Sequence, residues 1–170
     1  MADDPILHLV CGKIAAGKST LARRLGGAPG TVLIAEDAWL SRLYGDELRT
    51  VADYARYSRR LREPMGDHVA ALLRAGLSVV LDFPANTVAV RQWMHAIAER
   101  AGVRGTLHFL DVPDDVCRAR LKSRNAAGTH EYAATDAEFD EITSYFTAPT
   151  ADEGFDIIAY RGGDRHASTM

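Results

Sequence analysis

Residues 12–19 read Gly-Lys-Ile-Ala-Ala-Gly-Lys-Ser, which is G-x-x-x-x-G-K-S. Glycines at this spacing let a short loop turn its backbone N–H groups toward an anion, and the helix that follows adds the positive end of its dipole. The sequence context fits: an apolar run, Ile6–Cys11, precedes the loop, and Thr20-Leu21-Ala22-Arg23-Arg24-Leu25 follows it with helical character. A phosphate chain would lie against Gly12, Lys13, Ile14, Ala15, Ala16, Gly17, Lys18, Ser19 and Thr20. In that arrangement Lys18 reaches the β- and γ-phosphates and the Ser19 hydroxyl holds Mg2+.

Two further groups of acids follow apolar runs. Glu36-Asp37 follows Thr31–Ala35, and Asp82 closes Ser78–Asp82. Asp37 is the preferred acid to orient a hydroxyl or accept its proton; capping the next helix is the competing role. Asp82 suits Mg2+, partly through water, and a turn cap is its alternative. Trp39, beside the acid pair, reads first as packing.

Arginines form a third group. Arg120 and Arg124 are four residues apart and share a helix face. They can stack on a base or neutralise a phosphoryl group in transfer, or form a solvated basic face. Asn125-Ala126-Ala127-Gly128-Thr129-His130 follows, small and polar as a flexible closing lid would be. Between Leu48 and Arg74, Arg49, Arg56, Arg59, Arg60 and Arg62 alternate with Tyr54 and Tyr57. This insert is either a solvated face or an acceptor site for an anionic or ring-bearing molecule.

These residues need a scaffold. Strands are expected at Ile6–Cys11, Thr31–Ala35, Ser78–Asp82, Gly105–Leu110 and Phe155–Tyr160, mostly as continuous apolar runs suited to burial on both faces. Amphipathic helices lie between them. Val90, Trp93, Met94, Ile97 and Ala101 form one buried stripe, and Met65, Val69, Leu72 and Leu73 form another that stops at Gly76. Pro113 opens a further helix with Asp114 and Asp115 in its first turn. Strand–helix alternation predicts an α/β fold with a parallel sheet, whose ligands bind beyond the carboxyl ends of the strands.

The 170 residues suggest one domain, residues 1–160, with helical acceptor and lid elements over about 48–75 and 123–146 and a flexible tail, 161–170. The net charge of −3 gives no global attraction to nucleic acid. Two cysteines, Cys11 and Cys117, form no C-x-x-C pair, and six histidines show no zinc-type spacing. The acidic start, Ala2-Asp3-Asp4-Pro5, lacks the basic region of a signal peptide, and no segment is long and apolar enough to span a bilayer. A cytoplasmic protein is expected, with its oligomeric state open.

Taken together, Gly12–Ser19 with Thr20, the Glu36-Asp37 pair, the Val79-Val80-Leu81-Asp82 strand end and the Arg120–Asn125 run resemble the small P-loop kinases. The nearest group holds polynucleotide 5′-hydroxyl kinases, zeta-toxin-type kinases and chloramphenicol phosphotransferases. The resemblance runs from Ile6 to Tyr160. It implies a three-layer fold whose five-stranded parallel sheet has the order 2-3-1-4-5. It implies ATP and Mg2+, with Lys18, Asp37, Arg120 and Arg124 catalytic, Arg120 near the adenine and Ser19 and Asp82 at the metal. The segment around Tyr160-Arg161-Gly162 would border the adenine. No N-K-x-D guanine-reading motif is present, which favours ATP over GTP.

One departure stands out. Several of these kinases carry a second lid arginine, where this chain has Ala126-Ala127-Gly128-Thr129-His130. Either His130 or an arginine of the 49–62 insert replaces it, or transfer is slow. The expected activity is transfer of the ATP γ-phosphate to a hydroxyl of a small molecule or nucleotide. A slowly hydrolysing regulatory protein is the first alternative and a nucleic-acid 5′-hydroxyl kinase the second.

Overall fold

The computed structural model describes residues 4–128, 133–161 and 168–169. The elements in chain order are β1 (Ile6–Cys11), α1 (Lys18–Gly26), β2 (Thr31–Ala35), α2 (Glu36–Tyr44), α3 (Val51–Arg74), β3 (Ser78–Pro84), α4 (Val88–Ala101), β4 (Arg104–Asp111), α5 (Asp114–Ala127), α6 (Asp136–Ser144), β5 (Asp156–Arg161) and β6 (Ser168–Thr169). Strands β2-β3-β1-β4-β5 are parallel in that order, as expected. β6 adds a two-residue antiparallel edge, pairing Ser168 with Ala159 and Thr169 with Ile158. It lies within the segment expected as a tail; residues 162–167 and 170 lie outside the described residues.

The sheet is buried on both faces. Leu7, Leu9, Cys11, Leu81 and Leu107 join Leu61, Met65, Val69, Met94 and Ile97 of α3 and α4 on one side. Val10 and Val80 meet Ala22 of α1 on the other, while Leu110, Cys117, Leu121 and Phe139 close the layer over α5 and α6. Two faces covered by helices explain why the strand sequences are continuous rather than alternating.

The longest helix, α3, contains Pro64. An interior proline costs about 3 kcal/mol, because it removes a backbone donor and crowds the preceding turn. Leu61, Met65, Val69 and Leu73 recur every four residues and are at most 4% exposed. Burying each contributes about 1.5–3 kcal/mol, so tertiary packing outweighs the local penalty. Thr50 and Asp53 form a reciprocal capping box that fixes where α3 begins.

A buried ion pair ties the site's supports together. Arg91 of α4 is fully buried. Its Nε and Nη2 donate to Glu153 at 2.6 and 3.1 Å, and its Nη1 donates to the carbonyls of Ala85 and Thr147, both at 2.9 Å. One guanidinium therefore fastens the turn after β3 to the segments before β5. Removing one partner of a buried pair strands the other, at a cost of about 3–5 kcal/mol. Arg91→Ala is expected to lose roughly that much stability in urea unfolding; a loss below about 1 kcal/mol would show the pair is no structural anchor.

Candidate active site

The loop between β1 and α1 is shaped by two glycines. A side chain at Gly12 would come within 3.1 Å of the Leu110 carbonyl oxygen and 3.2 Å of Ala16 Cβ. Gly17, at φ 104°, stands at the left-handed N-cap of α1, a conformation costly for other residues. No side chain caps α1 and no acid lies in its first turn, so the helix's first N–H groups remain available to an anion. Ala15 also takes a positive φ, 61°. The Gly12 N–H donates to Asn86 Oδ1 at 3.0 Å, and the Thr147 N–H donates to the Asn86 carbonyl at 2.8 Å. Asn86 thus clamps the start of the loop.

Lys18 folds back over this loop. Its Nζ donates to the carbonyls of Gly12 at 2.6 Å and Lys13 at 2.8 Å. Burial lowers its pKa, while the carboxylates of Asp82 and Asp37 favour its charge. Asp82 accepts a hydrogen bond from Ser19. Burial raises the Asp82 pKa, with Asp37 adding to the rise and Ser19 and Lys18 opposing it. Lys18, Ser19, Asp37 and Asp82 therefore share one electrostatic neighbourhood at the carboxyl ends of β1, β2 and β3.

The rest of the expected set divides in two. Arg124 is half-buried, and its Nε is buried without a hydrogen-bond partner. Burial lowers its pKa and Asp37 acts the other way, so it faces the same centre. Arg120 is exposed, and its Nη1 donates to the Ala16 carbonyl at 3.3 Å. Lys13 pairs with Asp114 at the start of α5. Ile14 and Ala15 are half-buried, Ala16 is buried and Thr20 is exposed. Tyr160 lies in β5, with its hydroxyl 2.9 Å from His108 Nδ1. Gly162 and His130 lie outside the described residues.

Two local expectations are corrected. α5 does not stop before Asn125: it continues through Ala127, with Gly128 at its C-cap. Alanine favours helix, and Asn125 donates its side-chain N–H to the Ala134 carbonyl at 2.8 Å, tying the helix end to the segment before α6. Trp39 does not pack inward; it is 41% exposed. The α2 periodicity turns Glu36 and Leu40 inward and leaves Trp39 and Leu43 outside.

Glu36, set aside in favour of its neighbour, proves to be the buried member of the acid pair, at 1% exposure. Tyr54 hydroxyl lies 3.0 Å from Glu36 Oε2 and contacts Asp37 Oδ1, and Ser58 donates to Glu36 Oε1. A cavity of about 460 Å³ opens beside Glu36, with Arg59 and Arg62 on α3 and Phe83, Pro84 and Val90 opposite. A single acidic dipeptide after a strand gives no signal as to which carboxylate turns inward. That depends on where α2 starts, and it starts at Glu36.

Mg2+ fits the donors present. Ser19 and Asp82 supply two hard oxygens already in contact. Among the described residues no cluster of three or more His, Cys, Asp or Glu could hold a metal unaided. Such a site leaves the remaining positions to phosphate and water, as Mg2+ prefers.

Burial pushes the Glu36 carboxyl up to about 7, with its Ser58 and Tyr54 hydrogen bonds opposing the rise. The unfolded chain releases this proton near the ordinary 4.5. Between those values the folded state binds more protons, so stability falls as pH rises and the deficit persists above 7. Glu36→Gln is expected to flatten this loss and to gain up to about 3 kcal/mol at pH 8. Thermal melts at pH 5 and pH 8 measure it; an equal change at both pH values would contradict the assignment.

No curated protein matches the sequence. Several solved structures are similar in fold. A protein from Chloroflexus aurantiacus j-10-fl, described as a candidate kinase, is 20% identical, with 92% of this chain and 85% of that chain covered and a TM-score of 0.74. Kti12 of Chaetomium thermophilum, solved with ADP-AlF3, is 15% identical over 93% of this chain and 90% of that one, with a TM-score of 0.71. The Mycobacterium tuberculosis APS kinase CysC, solved with AMPPNP and APS, is 19% identical over 92% and 88%, with a TM-score of 0.61. At these identities the likeness is one of fold. The AAA domain family matches residues 7–149, from β1 through the phosphate loop, the acid pair and α5 to beyond α6; the chain belongs to that family.

Proposed function

We propose that this protein is an ATP-dependent phosphotransferase that moves the γ-phosphate to a hydroxyl of a small molecule or nucleotide. The observation that carries the reading is the convergence of Lys18, the Ser19–Asp82 pair, Asp37 and Arg124 at the mouth of one loop, next to a cavity. Two similar structures were solved with nucleotide ligands, ADP-AlF3 and AMPPNP, which supports nucleotide use here.

Each residue has a distinct task. The N–H groups of residues 12–19 cradle the phosphates, and Lys18 exchanges its carbonyl partners for phosphate oxygens. Mg2+, when held by Ser19, Asp82 and the nucleotide, neutralises charge on the β- and γ-oxygens. Asp37 aligns the acceptor hydroxyl and takes its proton as the new oxygen–phosphorus bond forms and the bond to the β–γ bridging oxygen breaks, leaving ADP. Arg124 offers its unpartnered N–H to the phosphoryl group in transit, and Arg120 stays at the nucleotide side. Catalysis of this kind rests on positioning and preorganised charge, with no covalent enzyme intermediate.

Lys18→Ala is expected to weaken Mg·ATP binding and cut kcat/KM at least about a hundredfold. Asp37→Asn should leave ATP affinity within about twofold while kcat falls about 10²- to 10⁴-fold. Calorimetry with Mg·ATP and a coupled assay over hydroxyl-bearing antibiotics, sugars and nucleosides measure both. Normal turnover by Asp37→Asn with a true acceptor would remove the base assignment, and release of phosphate that no acceptor stimulates would favour the slow-hydrolysis alternative.

A further inference from the structure

We propose that the cavity beside Glu36 selects an acceptor that carries a fixed anionic group, a carboxylate or a phosphate, gripped by Arg59 and Arg62, with a flat or apolar body against Phe83, Pro84 and Val90. This inference rests on the phosphotransfer reading only for the hydroxyl end, which would face Asp37.

The charge distribution carries the argument. Arg59 and Arg62 stand on neighbouring turns of α3 and both line the cavity. Neither belongs to an ion pair among the described residues. Arg62 Nε is buried with no hydrogen-bond partner, and a buried unsatisfied donor in a cavity wall marks where a ligand acceptor is missing. Burial disfavours the Arg62 charge, the Arg59 guanidinium adds repulsion, and only Glu36 opposes them. Glu36 is a weak counter-charge: its oxygens already accept from Ser58 and Tyr54, and it keeps its proton to about pH 7. The cavity therefore holds an excess of positive charge that an anion would balance.

Shape narrows the class further. A volume of about 460 Å³ is that of a single small-molecule site. The Arg62 guanidinium carbon lies 5.8 Å from the Trp93 ring centre, and the Trp93 ring is tilted 47° against Phe83 at 5.9 Å between centres. A planar guanidinium suits two-point recognition of a carboxylate or phosphate. Phe83 is 1% exposed and packed in the core, so the apolar wall is backed by the core. The Tyr54 hydroxyl touches both Glu36 and Asp37. Asp37 is not part of the cavity wall; Tyr54, which lines the cavity and contacts Asp37, links the two.

The test uses Trp93 as the reporter, in a Trp39→Phe background that leaves it the single tryptophan. With Mg·ADP saturating the phosphate loop, the protein is titrated with benzoate, phenyl phosphate, neutral benzamide and a short oligothymidylate. At least one benzene anion is expected to change Trp93 emission with an affinity about tenfold or more above that of benzamide; whichever anion binds tighter separates carboxylate from phosphate. Arg62→Gln should abolish the preference, and Arg59→Gln, at an exposed position that leaves folding intact, should reduce it about threefold or more. The proposal is overturned if benzamide binds as well as the anions, if both glutamine variants keep the preference, or if the oligonucleotide binds tighter than either fragment through the same arginines. Failure of Mg·ADP to bind would instead remove the phosphotransfer reading, since the fragment titrations can be run without nucleotide.

Discussion

The site depends on a buried ammonium group held among backbone carbonyls. Lys18 is desolvated, and its charge is stabilised by the carbonyls of Gly12 and Lys13 and by the nearby carboxylates of Asp82 and Asp37. The winding of the loop turns these two carbonyls toward Lys18, while no side chain caps the N–H groups that open α1. Backbone donors and a lysine charge thus lie together at the start of α1, as an anion site requires. The two acids stand where their strands end, so the same charge that attracts a phosphate tail also sets the spacing of the groups that would act on it.

Holding that loop requires support from far along the chain. Asn86 accepts from the Gly12 N–H, and Arg91 fixes the carbonyl of the adjoining Ala85 while binding Glu153 and Thr147. The loop near the N-terminus is therefore registered against the turn after β3 and against the approach to β5. A buried arginine with a single carboxylate is a costly device unless every donor is used. Arg91 makes two bonds to Glu153, two to backbone carbonyls and a further one to Cys11, which is why the charge sits in the core without being a ligand site. Arg62 is the contrasting case, a partly buried arginine with an unused donor on a cavity wall.

Much of this architecture was legible in the residues. The strand–helix alternation, the phosphate loop and the acids after β2 and β3 follow from apolar runs, glycine spacing and the rule that ligands gather at strand ends, while the strand order is what the resemblance to the small P-loop kinases implies. What escaped is long-range or decided by helix phase. Asn86 and Arg91 act across 74 and 62 residues, through one hydrogen bond and a two-point ion pair respectively, and nothing in their local sequence announces a partner. Glu36 and Asp37 are chemically alike, and only the starting residue of α2 decides which is buried. Trp39 faces outward for the same reason. The Asn125–Ala127 segment reads as flexible from its small residues, yet alanine is a strong helix former and Asn125 finds a carbonyl at Ala134. The arginines of α3 could be read only as a solvated face or an acceptor site until the cavity showed two of them turned toward the same space.

The most direct measurement is a crystal structure of the protein with Mg2+ and a non-hydrolysable ATP analogue. The account predicts that Lys18 Nζ leaves the Gly12 and Lys13 carbonyls for β- and γ-phosphate oxygens, with Ser19 and Asp82 at the metal and the Asp37 carboxylate facing the γ-phosphate from the side of the cavity. A triphosphate bound elsewhere, or one bound in the loop with Lys18 still on its two carbonyls and Asp37 turned away, would contradict it.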